Sequence, residues 1–576
     1  MNGLYNPGYI RVDMEAKRVK LVGINGRYVY SCLPLFYLRN ALSRHHPQWL
    51  VELLQFSIND NYFEMLLQIA AGEPDYVFLS AAVWNSDIVE KLVADLSVCL
   101  PQGRMVVGGP QAGVLHESLE TESCTFVLGA IEAVPERFYN DLQTGCLLAA
   151  YEAQFFKMPE RGYDFPYNEK DFAEQLLNRH IYYESARGCI FRCSYCLSAE
   201  ERGVFHKPLE VVLHELEQIL QHKPKIIRFI DRTFNDIPQR VLAIWKFLLE
   251  KGGETMFHFE MAPDRFTEEM YDFLEQLPPG KFQFEIGIQS TNQETLQAVQ
   301  RPISPEVVSD AVQRLAKMQT VHLHVDLILG LPFETEESFA RSFADVFFMG
   351  ADYIQMGLLK ILPNTPLRLK TIEYGYKYTQ SPPYSVLENR WLSQRQMQEL
   401  YWFSECVEKF MNNRYFLSLW RYLRTHREDI YHFFQQLLVL SRRENLFSRV
   451  ASQEMLCRLL VFCLGNRQDK ELLLDLLRFD WLRCGHRFLP DCLLADREDN
   501  RLQEAKNTLY QRLPEELEGV FKRKSRNSFF KKSCFLSVSE ACFQELQLEG
   551  DPDSSVVCFL SSRENSLHSL SRFLVL

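Results

Sequence analysis

Residues 184–203 have the sequence ESARGCIFRCSYCLSAEERG, in which Cys189, Cys193 and Cys196 follow the pattern C-x3-C-x2-C. Three thiolates this close in sequence can bind three irons of a cubane cluster and leave the fourth iron without a protein ligand. That open iron is a place for chemistry. The competing interpretation is a structural zinc site with His206 as the fourth ligand.

The cysteines follow the first of six strand candidates that alternate with helical stretches. Six βα units are two short of a closed eight-fold barrel, so we expect a partial (β/α)6 barrel of the TIM type, with its chemistry at the carboxyl ends of the strands. A cysteine loop at such a strand end favours the cluster over a structural zinc site. The strand candidates are 180–186, 225–231, 256–261, 282–289, 321–330 and 353–360.

The cysteine motif, with aromatic Tyr195 before its last cysteine, resembles that of the radical SAM superfamily. Four later segments stand where that family would have its strand motifs: RFIDRTFN, FHFEMAPDRF, FEIGIQS and DLILGLPFET. The resemblance covers about residues 180–370. It implies a 4Fe-4S cluster on the three cysteines, with S-adenosylmethionine (SAM) chelated to the open iron. One-electron reduction would then yield methionine and a 5′-deoxyadenosyl radical.

Within that resemblance, polar and small residues at the strand ends are candidates for binding SAM. Acidic and amide side chains suit the ammonium and ribose hydroxyls, an arginine suits the carboxylate, and a Gly-x-Pro turn lets adenine approach the backbone. Each residue also fits a bland role, such as a helix cap or a surface ion pair. The candidates are Tyr195, Asp231, Glu260, Gln289, Ser290, Arg301, Gly330 and Pro332.

Upstream, β-rich runs alternate with amphipathic stretches from about residue 18 to 143. This alternation predicts a parallel sheet covered by helices, in a flavodoxin-like or Rossmann-like domain with a ligand crevice at the strand ends. Small residues in those loops would let a large ligand approach the backbone, although glycines in tight turns have the same composition. The loop residues are Asn25, Gly26, Ser80, Gly108, Gly109, Pro110 and Gly129.

An α/β domain directly before such a barrel resembles the cobalamin-binding domains of the cobalamin-dependent radical SAM branch. The matching segments are INGRYVYSCLPLFYL, VGGP at 107–110, and GAIE ending at Glu132. The resemblance implies cobalamin bound without an axial histidine, because the Asp-x-His-x-x-Gly signature is absent. The residues it implies for this binding are Asn25, Gly26, Ser80, Gly108, Gly109, Gly129 and Glu132. Methyl transfer or another radical reaction would follow. A regulatory or structural flavodoxin-like domain is the alternative.

The tRNA methylthiotransferases form a neighbouring branch that works without cobalamin. In those proteins three cysteines of the first domain bind a second cluster, and a small RNA-binding β-barrel follows. Here Cys32, Cys99, Cys124 and Cys146 do not fall together at strand ends, and the tail is long and mainly helical. This branch is therefore disfavoured.

These patterns divide the chain into four segments. We expect a cobalamin-binding-like domain at 1–145, a linker at 146–178, the partial barrel at 179–383 and a mainly helical domain at 384–576 that ends in a small sheet. The combination is similar to bacterial proteins whose extension is a domain of unknown function. The tail is expected to cap the barrel and select the substrate. Packing, oligomerisation or a non-enzymatic protein-interaction role is the alternative.

The composition limits the classes of partner that this protein is expected to bind. The 63 basic and 75 acidic residues give a net charge of −12, which argues against nucleic acid. No apolar run reaches the roughly 18 residues of a membrane-spanning helix, and the polar start is unlike a secretory signal, so we expect a cytoplasmic protein. A small molecule or peptide is the expected substrate. An external one-electron reductant, flavodoxin or ferredoxin, would be required.

Overall fold

The computed structural model of the chain describes nine ranges that together include both predicted sheets. They are residues 16–119, 124–153, 165–200, 203–465, 467–494, 500–511, 533–550, 556–563 and 570–576.

Six parallel strands form the amino-terminal sheet in the order β2-β1-β3-β4-β5-β6, a flavodoxin-like order extended by one strand. In such a sheet the ligand crevice lies where the order reverses, beside the ends of β1 and β3. The strands are β1 Arg18–Asn25, β2 Leu50–Ser57, β3 Tyr76–Ser80, β4 Arg104–Gly108, β5 Cys124–Leu128 and β6 Ala150–Glu152. The helices are α1 Leu33–His45, α2 Tyr62–Ala70, α3 Ser86–Cys99, α4 Ala112–Ser118 and α5 Glu136–Thr144.

A second six-stranded parallel sheet has the order β14-β13-β12-β11-β10-β7, so β7 and β14 are its two edges. Its strands are β7 Ile181–Tyr183, β10 Ile226–Phe229, β11 Met256–Met261, β12 Phe282–Gln289, β13 Val321–Leu329 and β14 Tyr353–Leu358. A hairpin of β8 Ala186–Gly188 and β9 Val204–His206 flanks the cysteine loop. The helices are α6 Glu169–Ala173, α7 Leu209–Gln221, α8 Pro238–Lys251, α9 Glu268–Glu275, α10 Gln293–Ala298, α11 Pro305–Met318, α12 Glu336–Met349 and α13 Pro366–Leu369.

The strands of this barrel alternate between two environments, most regularly in β12 and β13. In β12, FQFEIGIQ, the apolar residues are buried and Gln283, Glu285 and Gln289 are only half-buried. The apolar face packs aromatic rings against the outer helices, as where Trp245 stacks on Phe284 at 5.5 Å. The other face is polar and lines the barrel interior, which is why the strands alternate although the sheet is parallel.

Helices dominate the rest of the chain. A short hairpin of β15 Lys377–Tyr378 and β16 Val386–Glu388 comes first, and a three-stranded antiparallel sheet of β17 Cys534–Ser537, β18 Val556–Arg563 and β19 Ser571–Val575 comes last. The helices are α14 Gln394–Val407, continued by a π turn Glu408–Asn412, then α15 Leu417–Thr425, α16 Ile430–Arg443, α17 Gln453–Leu464, α18 Lys470–Arg483, α19 Asn500–Gln511 and α20 Glu540–Glu545. Among the described residues, no helix has the length and apolarity needed to cross a membrane.

One hydrophobic core runs through the chain. It joins Phe36 of the amino-terminal domain, Phe259 of the barrel and Phe434 of the helical region. The side-chain amide of Asn412 also extends the barrel, because it exchanges two hydrogen bonds with the main chain of Ile354 on the edge strand β14, at 2.9 and 3.0 Å.

The predicted fold class is confirmed: a flavodoxin-like domain, a six-stranded partial barrel and a mainly helical remainder with a small terminal sheet. The strand β6 and the helix α6 lie inside the segment 146–178, so that segment contains regular structure. The boundaries at residues 145, 178 and 383 stay predictions.

Candidate active site at the cysteine loop

The three cysteines of the motif lie together between the end of β8 and the start of β9. The Phe191 N–H donates to Cys189 Sγ at 3.4 Å, and Thr233 Oγ1 lies 3.6 Å from the same sulfur. Burial raises the pKa of the Cys189 thiol, and the nearby thiols of Cys193 and Cys196 raise it further. All three sulfurs therefore share one partly buried site.

The loop is clamped through its main chain. Ser194 N–H donates to Val299 O at 3.0 Å, and Ser194 O accepts from Leu367 N–H at 2.8 Å. Within the described ranges, no three metal-ligating side chains converge closely enough to hold one ion. Cluster ligands stand farther apart than ligands of a single ion, because each thiolate binds its own iron.

His206, the fourth ligand of the zinc interpretation, has another partner. Its Nε2 lies 3.0 Å from Asp236 Oδ2. It also sits on β9, opposite Ala186 of β8.

Arg301 connects the cysteine loop to the barrel. Its Nη1 donates to Cys193 Sγ at 3.5 Å and its Nη2 to the carbonyl of Gly287 at 2.7 Å. The guanidinium also lies over the ring of Phe191, 4.8 Å from its centroid. Only 8% of Arg301 is exposed, and its Nε is buried without a hydrogen-bond partner. A cation held in this way suits a carboxylate ligand beside the cluster site.

The two predicted acidic residues lie at strand ends but differ in their partners. Both oxygens of Asp231 accept hydrogen bonds from Ser185, one from its main-chain N–H and one from its hydroxyl. Burial raises the pKa of Asp231 to about 6. Burial also raises the pKa of Glu260 to about 7, against the effect of Arg232. Asp231 thus braces the strand before the cysteines, while Glu260 faces the barrel interior.

Asp326 on β13 is a site residue that the sequence analysis missed. Burial, together with the charges of Glu285 and Glu260, raises its pKa well above the usual range. Its Oδ1 is buried and has no hydrogen-bond partner among the described residues. It stands opposite Gly287, the residue that anchors Arg301. The alternation HLHVDLIL, with polar residues at every second position, was the signal that could have found it.

Gln289 and Ser290 follow each other at the end of β12. Gln289 has a φ of +73° at a β-bulge, which turns its side chain back over Gly287. Ser290 is buried, lies 3.3 Å from Ser342 Oγ and accepts from the Asn292 N–H at 3.0 Å. Gln289 therefore faces the barrel interior, whereas Ser290 stabilises the turn into α10.

Gly330 and buried Pro332 end β13. The carbonyl of Gly330 accepts hydrogen bonds from Tyr376 Oη at 3.0 Å and from Asn389 Nδ2 at 2.9 Å. Its φ is +92°, and an added Cβ would lie 3.0 Å from Met397 Cε. Residues after the barrel thus cover this strand end.

The predicted crevice residues of the amino-terminal domain differ in how much free space surrounds them. Gly26 and Gly108 leave open space, since a Cβ on either would meet nothing nearer than 3.9 Å. Gly109 is required by packing, because a Cβ there would lie 2.5 Å from Ala81 O. Asn25 donates to Phe56 O at 3.2 Å and is buried.

The remaining crevice candidates stand on neighbouring strand ends. Ser80 O accepts from the side chain of Asn85 at 3.0 Å, Pro110 is exposed, and exposed Gly129 has a φ of +102°. Together these loops line the carboxyl edge of the sheet.

Two contacts bring that edge to the barrel. Glu132 Oε1 lies 2.9 Å from Arg187 Nη2, which also pairs with Glu184. Gln111 Oε1 accepts from Tyr384 Oη at 3.1 Å. Glu132 is therefore engaged in joining the domains, and the crevice opens toward the cysteine loop.

Residues 183–346, which contain the cysteine loop and β10 to β13, match the family model described as the radical SAM superfamily. The chain carries a radical SAM domain. Residues 372–552 match a second model, a protein of unknown function, DUF4080. Radical SAM domains use a 4Fe-4S cluster and SAM, which indicates an enzyme that generally needs an external electron donor.

Solved structures share the fold of this radical SAM domain and of the domain before it. The cobalamin-dependent SAM radical enzyme OxsB, with aqua-cobalamin and SAM bound, aligns at a TM-score of 0.59 and 14% identity, over 86% of this chain and 84% of OxsB. The radical SAM methyltransferase TsrM from Kitasatospora setae, with tryptophan substrate and a SAM analogue bound, aligns at 0.51 and 17% identity, over 66% and 81%. At these identities the likeness concerns the fold alone.

Curated relatives are distant methylthiotransferases. A probable threonylcarbamoyladenosine tRNA methylthiotransferase from Methanocaldococcus jannaschii is 22% identical over 321 residues, 53% of this chain and 70% of that protein. The ribosomal protein uS12 methylthiotransferase RimO from Chlamydia pneumoniae is 26% identical over 186 residues, 30% and 39%. The chain therefore spans well under half of the second relative.

The four cysteines of the amino-terminal domain stand at separate places in that domain. Cys32 precedes α1 at the carboxyl edge of the sheet, whereas Cys124 begins β5 at the opposite edge. Cys99 ends α3, and exposed Cys146 follows α5. This placement argues against a methylthiotransferase-like site.

Proposed function

We propose that this enzyme reductively cleaves SAM at a 4Fe-4S cluster bound by Cys189, Cys193 and Cys196. The observation that supports this most directly is the contact of Arg301 with Cys193, which places a buried cation beside the three thiols. When bound, the cluster supplies the electron that breaks the sulfonium bond. The chain's own part is to hold the ligand: Arg301 would neutralise its carboxylate, and Asp326 would accept hydrogen bonds from its polar groups.

The second part of the proposal is cobalamin in the amino-terminal crevice. It is supported by the open backbone at Gly26 and Gly108 and by the contacts that turn this crevice toward the cysteine loop. Methyl transfer to an unactivated carbon or phosphorus is the proposed reaction. The electron donor would be flavodoxin or ferredoxin, in the cytoplasm. A small molecule or a peptide would be the substrate.

The region after the barrel would cap the mouth and select the substrate. Its support is the hydrogen bond that Asn389 donates to the carbonyl of Gly330 and the packing of Trp391 on Phe333, with ring centroids 4.5 Å apart. A lid over the strand ends would keep water and stray hydrogen donors from a radical.

The cluster is tested on the anaerobically reconstituted full chain. Changing the three motif cysteines to Ala is expected to remove the brown chromophore and abolish formation of 5′-deoxyadenosine. Cys99→Ala, at an exposed cysteine of the other domain, is the control and should leave both unchanged. Protein that binds one zinc and no iron, and loses it in His206→Ala, would establish the zinc site instead.

Cobalamin is tested by titrating the full chain with hydroxocobalamin. The wild type is expected to bind with a spectral shift, and Gly26→Leu to weaken binding at least tenfold because the new side chain would enter the crevice. Glu90→Leu, on an exposed face of α3, is the matched control. Absence of a shift at saturating ligand would leave a radical SAM enzyme that works without cobalamin.

A further inference from the structure

Three polar residues on adjacent strands face the barrel interior below the candidate cofactor site. Arg228 on β10 and Glu285 on β12 flank His258 on β11. His258 Nε2 lies 2.9 Å from Arg228 Nη2 and 3.3 Å from Glu285 Oε2, while Arg228 and Glu285 are 3.8 Å apart. Glu285 precedes Gln289, the end of its strand, by four residues, which is about 13 Å along the strand. The group therefore lies below the cysteine loop.

The hydrogen bonds of this group cannot all form at once. One imidazole nitrogen can either accept from the guanidinium or donate to the carboxylate, but not both. Whichever tautomer His258 takes, one of the two charged residues has hydrogen-bonding capacity left over. Arg228 and Glu285 are both reached by solvent, since about a quarter of each side chain is exposed.

Arg228 and Glu285 are the ionised pair of this group, and the carboxyl of Glu260 faces the same interior across the sheet from Glu285. Burial lowers the pKa of His258, and it lowers those of His180 and His324 to about 4 and about 3, so the three rings are neutral at pH 7. The hydrogen bond from His258 lowers the pKa of Glu285 and keeps it ionised. On the edge strand β14, which borders the barrel interior, Gln355 and Gly357 are exposed to solvent.

We propose that Arg228 and Glu285 bind the carboxylate and the ammonium group of a zwitterionic substrate of the amino-acid type. A ligand with both charges on one carbon atom can meet both partners at once, so that the four charges alternate in sign. This inference rests on the proposed radical SAM function and names its substrate class.

Other ligand classes fit this group less well. A simple anion would be repelled by Glu285, and a simple cation by Arg228. An apolar ligand would strip water from both charges without replacing their hydrogen bonds, which is costly. A ligand of both signs can meet both charges at once.

Equilibrium dialysis of the anaerobic full chain with SAM, against the twenty radiolabelled L-amino acids, tests the proposal. At least one amino acid is expected to bind. Its N-acetyl and carboxamide derivatives, which each lack one charge, should bind at least tenfold more weakly to the wild type. This comparison needs no variant, so it does not depend on the folding of a mutant.

Variants of Arg228 and Glu285 test whether the amino acid binds at this pair. Arg228→Gln and Glu285→Gln should each weaken it at least tenfold, and Arg228→Lys should recover part of the loss. Arg265→Gln and Glu275→Gln, at surface positions, are the matched controls and should bind like the wild type.

A parallel assay of 5′-deoxyadenosine separates this proposal from the proposed function. If the wild type cleaves SAM but binds none of the amino acids, or binds the derivatives equally well, the zwitterion site is overturned. If it binds an amino acid through Arg228 and Glu285 but never cleaves SAM, the site stands and the radical SAM proposal fails.

Discussion

Arg187, two residues before the first cysteine of the motif, forms a 2.9 Å ion pair with Glu132 of the amino-terminal domain. The same guanidinium pairs with Glu184 at 2.6 Å, and all three side chains are less than one-fifth exposed. The side chain of Arg187 therefore links the edge of the amino-terminal crevice to the strand before the cysteine loop.

Glu132→Gln should weaken this link without breaking the loop, because Arg187 keeps Glu184. Loss of one charge-assisted hydrogen bond is expected to cost about 1.5–3 kcal/mol at most. The measurement is the urea midpoint of the full chain, with Glu136→Gln at an exposed site as control. An unchanged midpoint would mean that the pair contributes nothing to holding the domains together.

Arg301→Gln should raise the KM for SAM at least tenfold and leave the iron content unchanged. The reason is that the variant removes the buried cation but none of the three thiols. Iron analysis of each variant checks the iron content, and initial rates of 5′-deoxyadenosine formation at varied SAM concentration check the KM. Arg314→Gln, on the surface, should behave like the wild type; an equal KM in the two variants would remove Arg301 from the cofactor site.

Asp480 on α18 caps the start of α15. Its carboxylate accepts from Ser418 N–H at 2.9 Å, Ser418 Oγ at 2.7 Å and Leu419 N–H at 3.3 Å. Asp480→Ala leaves these buried donors without a partner and should cost about 1–3 kcal/mol. Denaturant unfolding followed by circular dichroism measures it, and Asp475→Ala on the same helix is the comparison.

The buried carboxyl of Asp480 should also make the stability of the folded chain depend on pH. Burial raises its pKa from the usual 3.8 to about 7, so the folded state holds the proton more tightly than the unfolded state. Its stabilising contribution is complete below about pH 4 and is lost as the pH rises through about 7. The wild type should therefore lose stability relative to Asp480→Asn between pH 5 and pH 8. A constant difference between the two midpoints would show that Asp480 stays ionised throughout.

Gly330→Ala should destabilise the chain for two separable reasons. The φ of +92° disfavours any side chain, and the new methyl would press on Met397. Combining it with Met397→Ala should recover the steric part alone. Thermal unfolding of the two single variants and the double variant gives the coupling free energy between the two positions. Strictly additive losses in the free energy of unfolding would exclude the contact with Met397.

The fold was largely predictable because the pattern of apolar residues that marks each strand lies within a short stretch of sequence. Every barrel strand was found, since apolar residues at every second position mark one buried face. The strand β6, with the sequence AYE, was missed because it has no run of β-branched or aromatic residues, unlike the equally short β7, IYY. Asp231 shows a different limit: its place at a strand end was correct, but a sequence does not show that Ser185 occupies both of its oxygens.

The candidate site was predicted where spacing along the chain carries the chemistry, as in the three cysteines. It was not predictable where the partners are distant in sequence. Glu132 and Arg187 are 55 residues apart, and Arg228, His258 and Glu285 stand on three different strands. Only the register of the sheet brings such residues together.

The amide of Asn412 occupies the outward-facing N–H and C=O of Ile354, as a seventh strand would. An exposed sheet edge is a template on which a second chain can add its own strand. A single side chain, held by a π turn, removes this hazard at Ile354, on one of the two edges of a barrel that is two units short of closure. Ile354 thus has no main-chain hydrogen-bonding group left for an added strand.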